Sequence, residues 1–387
     1  MQKEKRLLLS LVTGSGKTRV ALQICWYLFQ IKWNLKEEKR PPRILFVFPR
    51  QIAVIHAISQ ARNQFPTETI TQIQGKAIKG DNIFFATTYD LKHDSSLPNL
   101  YQAYNPDYFD LIIFDQFDAS SELVHQSKSE QWREIGEYFA PAYQLGFAIA
   151  STSHDLGKAR NYFGDLVYQY SLEQGIADGV IAPYQIYRVQ ARSDLQQWQA
   201  IQKGLFPSLI PPEVYQTPQW EQKLVSESRT TAIAQHITQF LQKQDNQGKT
   251  VVICVDEAHV NKIVEKLRYS NRQLLSHNPD YIVPLIYSHQ ENLVRFQNLE
   301  HTTPVIGVAP KTMLTGVNLN CQNLFLACAM SSPTNLVQKM GRANHESKLS
   351  ETSSLNKIVD YTNSTTLLEE NNFNGELIMS GISEIND

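Results

Sequence analysis

Charge is in short supply in this chain. Of its 387 residues, 19% are Asp, Glu, Lys or Arg, below the roughly 25% usual in soluble proteins. The net charge is only −2. That leaves no global footprint for nucleic acid or a membrane surface and confines any such contact to a local basic stripe. Cysteine is scarce as well. Cys25, Cys254, Cys321 and Cys328 show no metal-ligand spacing, and three of them lie in apolar runs, where cysteine acts as a small hydrophobe. The ten histidines form no cluster, so no metal site is expected beyond one that a nucleotide brings with it. Spacing also supports no Ser-His-Asp or Cys-His arrangement.

Long apolar runs are missing too, and none approaches the roughly 18 residues of a membrane span. Lys3, Lys5 and Arg6 precede Leu7-Leu8-Leu9 as in a signal peptide. That run is interrupted at Ser10 and ends by Thr13 with no small-residue cleavage site behind it, so a buried strand is the better reading. A reducing, cytoplasmic setting with no membrane is expected, in which the Asn363-Ser364-Thr365 sequon is silent. What remains is a 42% apolar chain, close to the roughly 45–50% of ordinary globular proteins. Disorder throughout is excluded, and the length suits two or three domains.

Strand and helix signals alternate through the first half, as in an α/β winding. Short apolar runs at 7–12, 44–48, 82–86, 111–114 and 147–150 read as strands of a sheet buried on both faces. Helices are expected over 17–30, 51–62 and 129–139. The pattern breaks from 183 to 219, a stretch rich in Gln and Pro that reads as a connection. It resumes with a helix at 230–243 and strands at 251–255, 282–285, 305–308, 324–327 and 358–361. The residues after Thr362 read as a polar, frayed tail. The expected domains are 1–182, a connection at 183–229, 230–363, and the tail at 364–387. The two halves could be structural repeats without sequence similarity.

Thr13-Gly14-Ser15-Gly16-Lys17-Thr18 joins the first strand to the first helix. Glycines let consecutive backbone N–H groups curl toward phosphate oxygens, and the helix N-terminus adds partial positive charge. Lys17 is placed to reach β- and γ-phosphates and the Thr18 hydroxyl to ligate Mg²⁺. The full phosphate-loop pattern has Gly where this chain has Leu11. The metal also needs an Asp at the end of a neighbouring strand, and two strings offer one. Leu111-Ile-Ile-Phe-Asp115-Gln116 is the first; Val251-Val-Ile-Cys-Val-Asp256-Glu257-Ala258-His259, which spells a DEAH box, is the second. Order along the chain favours Asp115, because Asp256 follows the break and opens the second winding unit. Glu257 and His259 then begin a solvated helix.

In this order the pieces resemble the motor core of helicase superfamily 2, and within it the R subunit of type I restriction enzymes and the related type III motors. VTGSGKT at 12–18 is similar to the family's ATGTGKT, FDLIIFDQFD at 109–118 to FDLIIIDECH, and Ala86-Thr87-Thr88-Tyr89 to a strand-end ATY motif. The segment at 44–50 and the third motif at 150–154 take their family places. The wording YSLEQGIADG at 170–179, continued by Ala182-Pro183-Tyr184, is the most specific. Lys249–Asp256 matches a family strand of the second domain, which explains the decoy DEAH. Residues 314–320 correspond to TTGVDVP and 338–345 to QxxGRxxR.

The resemblance implies an α/β fold of two tandem RecA-like domains, each a mostly parallel sheet with helices on both faces. It also implies an ATP hydrolase of helicase or translocase type, with ATP and Mg²⁺ between the domains and double-stranded DNA across both. Modification and specificity subunits of a restriction complex are the further partners it suggests. Residue by residue, it assigns Thr13, Gly14, Ser15, Gly16, Lys17, Thr18, Gly316, Asn318 and Gln338 to the nucleotide, and Thr18 and Asp115 to the metal. Turnover falls to Lys17, Asp115, Gln116, Arg342 and His345, and DNA contact to Arg50, Thr87, Thr88, Tyr89 and Thr315. The departures are pointed. Gln116 stands where the family has a catalytic Glu, His345 replaces an Arg, and Asn318 replaces an Asp. The family's adenine-recognition segment would precede Leu7, so weak ATP binding is expected. The alternative to a working motor is a nucleotide- and DNA-binding module with little or no turnover.

Overall fold

Seven short strands, nearly all apolar, build the first of two sheets in a computed structural model. It describes residues 5–66, 69–92, 98–115, 131–148, 156–202, 209–243, 248–298, 302–313, 319, 321–342, 355–370 and 377–387. The chain divides into two units, one built on Met1–Ser171 and the other on Leu172–Leu314 and Asn318–Asp387. In the first unit the strands are β1 (Arg6–Leu11), β2 (Ile44–Phe48), β3 (Ile70–Gln72), β4 (Ile83–Thr87), β5 (Leu111–Asp115), β6 (Tyr143–Ala148) and β7 (Leu166–Tyr170). They lie in the order β3-β4-β2-β5-β6-β1-β7, every pair parallel.

Every residue of β2, β4 and β5 is buried, as a parallel sheet covered on both faces requires. On one face Ala21, Leu22 and Cys25 of the helix Lys17–Gln30 and Val54 and Ala57 of the helix Gln51–Arg62 cover Phe46, Phe85 and Ile113. On the other, Trp132, Ile135, Tyr162 and Phe163 pack on Phe84, Ile112 and Phe114. The charged stretch after Asn34 is less solvated than its composition suggests. Buried Asp110, which precedes β5, takes Arg40 Nη1 at 2.7 Å and the Arg43 N–H at 2.7 Å.

The second sheet comprises β8 (Tyr184–Ala191), β9 (Thr250–Cys254), β10 (Ile282–Pro284), β11 (Ile306–Pro310), β12 (Asn323–Leu326), β13 (Asn356–Asp360) and β14 (Leu377–Ile385). Its order is β10-β11-β9-β12-β13-β8-β14, again all parallel. Counted from its own first strand, this is the order of the first sheet. The two halves are repeats in topology. Ile233 and Ile237 of the helix Glu227–Lys243 and Val260, Ile263 and Leu267 of the helix Glu257–Ser270 pack on Val252, Val308 and Phe325.

Two segments differ from their sequence reading. The stretch at 183–229 supplies β8, hydrogen-bonded between β13 and β14. Two of its prolines open helices rather than break them: Pro212 and Pro218 sit at the first turns of Pro212–Tyr215 and Pro218–Leu224, where a missing N–H costs nothing. A buried pair inside this stretch is tied to the rest of the unit through Tyr361. Arg229 binds the Asp194 carboxylate and donates to the Tyr361 carbonyl at 2.8 Å, while Tyr215 donates to Asp194 at 3.2 Å. Burial lowers the Arg229 pKa to about 10, so it stays charged at neutral pH.

The segment read as a frayed tail begins as core. Thr362, Ser364 and Thr365 are fully buried. Their polarity is absorbed locally: the Thr362 and Thr365 N–H groups donate to Asp360 at 3.0 and 2.7 Å, Ser364 accepts the Met330 N–H, and Thr365 accepts Arg188 Nε. β14 then adds the outer strand of the sheet.

Candidate functional site

Strand β1 ends at Leu11, and the chain turns through 12–16 before the helix Lys17–Gln30 begins. Two glycines make the turn possible, Gly14 at φ +91° and Gly16 at φ +84°, in the left-handed region that costs an L-residue energy. Ser15 closes the turn on itself, donating its N–H and its hydroxyl to the Val12 carbonyl at 3.3 and 2.7 Å. Leu11, where the loop pattern has Gly, is the last strand residue with its side chain in the core. The strand needs no glycine there. No side chain caps the helix and no acidic residue occupies its first turn, so its first N–H groups and positive dipole end face the loop.

Lys17 is buried and donates from Nζ to the Leu11 carbonyl at 3.1 Å. Thr18 Oγ1 donates to Asp115 Oδ2 at 3.1 Å. Asp115 closes β5 and is 3% exposed. Only β6 separates β5 from β1 in the sheet, so the carboxylate and the loop meet at the C-terminal edge, where ligands gather in open α/β sheets. Thr13 Oγ1 is buried and has no hydrogen-bond partner among the described residues. These groups fit a nucleotide with its metal. Amides, an ammonium and a hydroxyl suit phosphate oxygens, and the Thr18 and Asp115 oxygens suit a hard divalent cation.

Arg50 and Thr87 to Tyr89 share this edge, since Phe48 of β2 pairs with Thr87 of β4. Arg50 stands at the N-cap of Gln51–Arg62, partly exposed. Thr87, expected as a DNA contact, has its side chain engaged within the protein. Its side chain is buried and closes a capping box, accepting the Asp90 N–H at 3.0 Å while its hydroxyl donates to Asp90 Oδ2 at 2.6 Å. A cap consumes the hydroxyl that a phosphate would need. Thr88 is partly exposed, and Tyr89, at 64%, is largely in solvent. Gln338 is buried in the helix Pro333–Arg342, whose last residue is Arg342. Gln116, Thr315, Gly316, Asn318 and His345 lie outside the described residues.

The DEAH string does something else. Asp256 is the N-cap of Glu257–Ser270, its Oδ1 accepting the His259 N–H at 2.8 Å, in the sheet that does not carry Lys17. His259, read as opening a solvated helix, is fully buried, and its Nδ1 accepts the Val255 N–H at 3.4 Å. Burial drives its pKa down to about 4, and that of His236, bonded to the Tyr361 hydroxyl at 2.8 Å, also to about 4.

An acid response follows from these two imidazoles. Unfolded histidine titrates near 6.5. Both rings are neutral in the fold, so their stabilisation is complete above that value and is lost as pH falls from 6.5 toward 4. Between pH 7 and 5 each contributes a loss on the order of 2 kcal/mol. The urea midpoint of the second unit is expected to drop over this range, with a shallower dependence in His259→Gln. An unchanged midpoint would contradict neutral burial.

Residues 1–149 match the family described as type III restriction enzyme, res subunit. Over 96% of its length the chain is 31% identical to the type I restriction enzyme EcoAI endonuclease subunit of Escherichia coli, of which it covers 45%. The chain is a restriction-subunit homologue. It spans about half the length of that curated relative. A fragment of an HsdR subunit of a type I restriction enzyme from Vibrio vulnificus YJ016 matches this homologue with a TM-score of 0.73 and 32% identity, over 99% of the present chain and 65% of the other. The DEAD-box helicase Mss116 matches with a TM-score of 0.64 at 12% identity, over 99% and 72% of the two chains. At that identity the likeness speaks to fold alone, which is two tandem RecA-like domains. Among the described residues of the homologue, no helix is long and apolar enough to cross a membrane. Nor does any group of three His, Cys, Asp or Glu stand ready for a metal.

Proposed function

We propose that this chain is the ATP-dependent motor core of a restriction-type system, a cytoplasmic translocase that binds ATP with Mg²⁺ and duplex DNA. The observation that carries the reading is the 3.1 Å bond from Thr18 to Asp115. It joins the first turn of the loop helix to a carboxylate from a neighbouring part of the same sheet, in a chain homologous to restriction subunits. In the proposed bound state the loop amides hold the phosphates, Lys17 exchanges the Leu11 carbonyl for a phosphate oxygen, and Thr18 and Asp115 hold the metal. Mg²⁺ supplies charge neutralisation at the β- and γ-oxygens. Roles for Gly316, Asn318, Gln338, Arg342 and His345 in binding and turnover belong to this proposal, as do the modification and specificity subunits as partners.

A second reading, binding without turnover, is favoured by Gln116 and His345, which stand where the family has Glu and Arg. Steady-state hydrolysis with and without DNA separates the two.

DNA contact is proposed through Arg50, Thr87, Thr88, Tyr89 and Thr315, with no zinc finger, recognition helix or basic arm for reading bases among the described residues. Two unrelated duplexes of equal length are expected to bind with affinities within about threefold of each other. The near-neutral charge points to few phosphate contacts. The slope of log affinity against log salt should therefore be well below the roughly −9 of a ten-contact protein. Strong discrimination between unrelated duplexes in a filter-binding assay would sink the DNA assignment.

A further inference from the structure

The second unit carries a cleft that the motor site does not use. Its volume is about 460 Å³, inside the roughly 300–1,000 Å³ range of small-molecule sites. Gln235 lines it from the helix Glu227–Lys243, Arg268 and Tyr269 from the last turn of Glu257–Ser270, and Arg272 from the start of the helix Arg272–His277. Arg268 donates from Nε and Nη2 to the Ile282 carbonyl at 3.3 and 2.9 Å. Ile282 is the first residue of β10, so the cleft stands at the edge of the sheet where its parallel strands begin. The phosphate loop and Asp115 stand where the strands of the other sheet end, the usual place for ligands of such sheets.

The charges of the cleft are unevenly spent. Lys266 lies 3.4 Å from Glu265 and also binds Glu227, so these three answer one another. The two arginines have no carboxylate among the described residues. Arg268 is anchored along one edge of its guanidinium, which leaves Nη1. Arg272 lies on the Tyr269 ring, its guanidinium carbon 4.0 Å from the ring centroid, and makes no hydrogen bond or ion pair among the described residues. A guanidinium stacked on a ring keeps its in-plane N–H donors for an anion. Tyr269 is 65% exposed, so its ring also offers surface to a ligand. The exposed Gln235 amide supplies both a donor and an acceptor.

We propose that this cleft binds a phosphate monoester attached to a flat ring, the chemistry of a mononucleotide, with Arg268 and Arg272 on the phosphate and Tyr269 and Gln235 on the ring. A monoester carries close to two negative charges at neutral pH, which two unpaired guanidiniums match. A bare phosphate would leave most of the cleft empty. The site needs neither a metal nor the phosphate loop and stands independently of the motor reading.

The test is titration calorimetry of the full chain with AMP, with adenosine and with inorganic phosphate, all in EDTA so that no divalent cation assists the phosphate loop. Wild type is expected to bind AMP saturably, and adenosine and inorganic phosphate each at least about tenfold more weakly. Arg272→Ala, a change at an exposed residue, weakens AMP at least about tenfold. Arg272→Lys keeps the charge, loses the fork and recovers only part of the affinity. Lys17→Ala binds AMP as wild type does. Equal AMP affinity in wild type and Arg272→Ala overturns the proposal. So does full recovery in Arg272→Lys, which marks diffuse charge, or adenosine or inorganic phosphate bound as tightly as AMP. Loss of AMP binding in Lys17→Ala but not in Arg272→Ala places AMP in the phosphate loop, which refutes the cleft and spares the motor reading. A wild type that fails to bind millimolar AMP refutes the cleft alone.

Discussion

On the reading of binding without turnover, given ATP, Mg²⁺ and duplex DNA, the wild-type chain is expected to release phosphate at close to the background rate, and the double variant Gln116→Glu, His345→Arg to release it at least about tenfold faster. Hydrolysis needs a group that orients or deprotonates the attacking water and a cation for the charge that develops on the γ-phosphate. A carboxamide at position 116 cannot accept a proton. An imidazole at position 345 is shorter than an arginine and lacks its permanently charged, forked guanidinium. Loss of a general base typically costs about 10²–10⁴ in rate, and loss of an arginine finger roughly 10³–10⁵. Either alone brings a motor near background, while the proposed nucleotide ligands Lys17, Thr18 and Asp115 would be left in place. The two repairs act on one transition state, so their effects should not add, and each single variant is expected to gain little. Brisk DNA-stimulated hydrolysis by the unmodified chain would refute the degenerate-site reading and leave the fold untouched.

The parts of this fold that the sequence made legible are those where burial is continuous. Residues 44–48 form an uninterrupted apolar run framed by prolines, and β2 has those bounds; the helices Lys17–Gln30 and Gln51–Arg62 likewise match their reading. The elements the reading lacked are different. β3 has the sequence ITQ, β7 LVYQY and β14 LIMSGISEI. All three are outermost strands, which bury little and so carry a weak apolar signal. β8 was obscured by its Pro- and Gln-rich neighbours, whose prolines turned out to begin helices. The core position of Thr362 to Thr365 could not be read locally, because what permits burial is a set of partners from Asp360, Met330 and Arg188.

At the site, order along the chain favours Asp115 over the better-spelled Asp256, and Thr18 Oγ1 lies 3.1 Å from that carboxylate. Thr87 shows that position alone leaves two roles open. A threonine at a strand's C-terminal end is as well placed to cap the next helix as to touch a ligand, and here it caps.

The most direct test of the phosphate site is a calorimetric titration of the full chain and its Lys17→Ala variant with ATP and Mg²⁺. Lys17 sits at the first position of the loop helix with its side chain buried. Removing a buried, hydrogen-bonded charge partner costs roughly 2–5 kcal/mol of binding, thirtyfold or more. The helix keeps its backbone bonds, including Val20 N–H to Gly16 O at 3.0 Å, so the far-ultraviolet circular dichroism of the variant should match wild type. The account predicts saturable binding by wild type and at least a thirtyfold loss in Lys17→Ala. Superimposable titrations of the two proteins would contradict it.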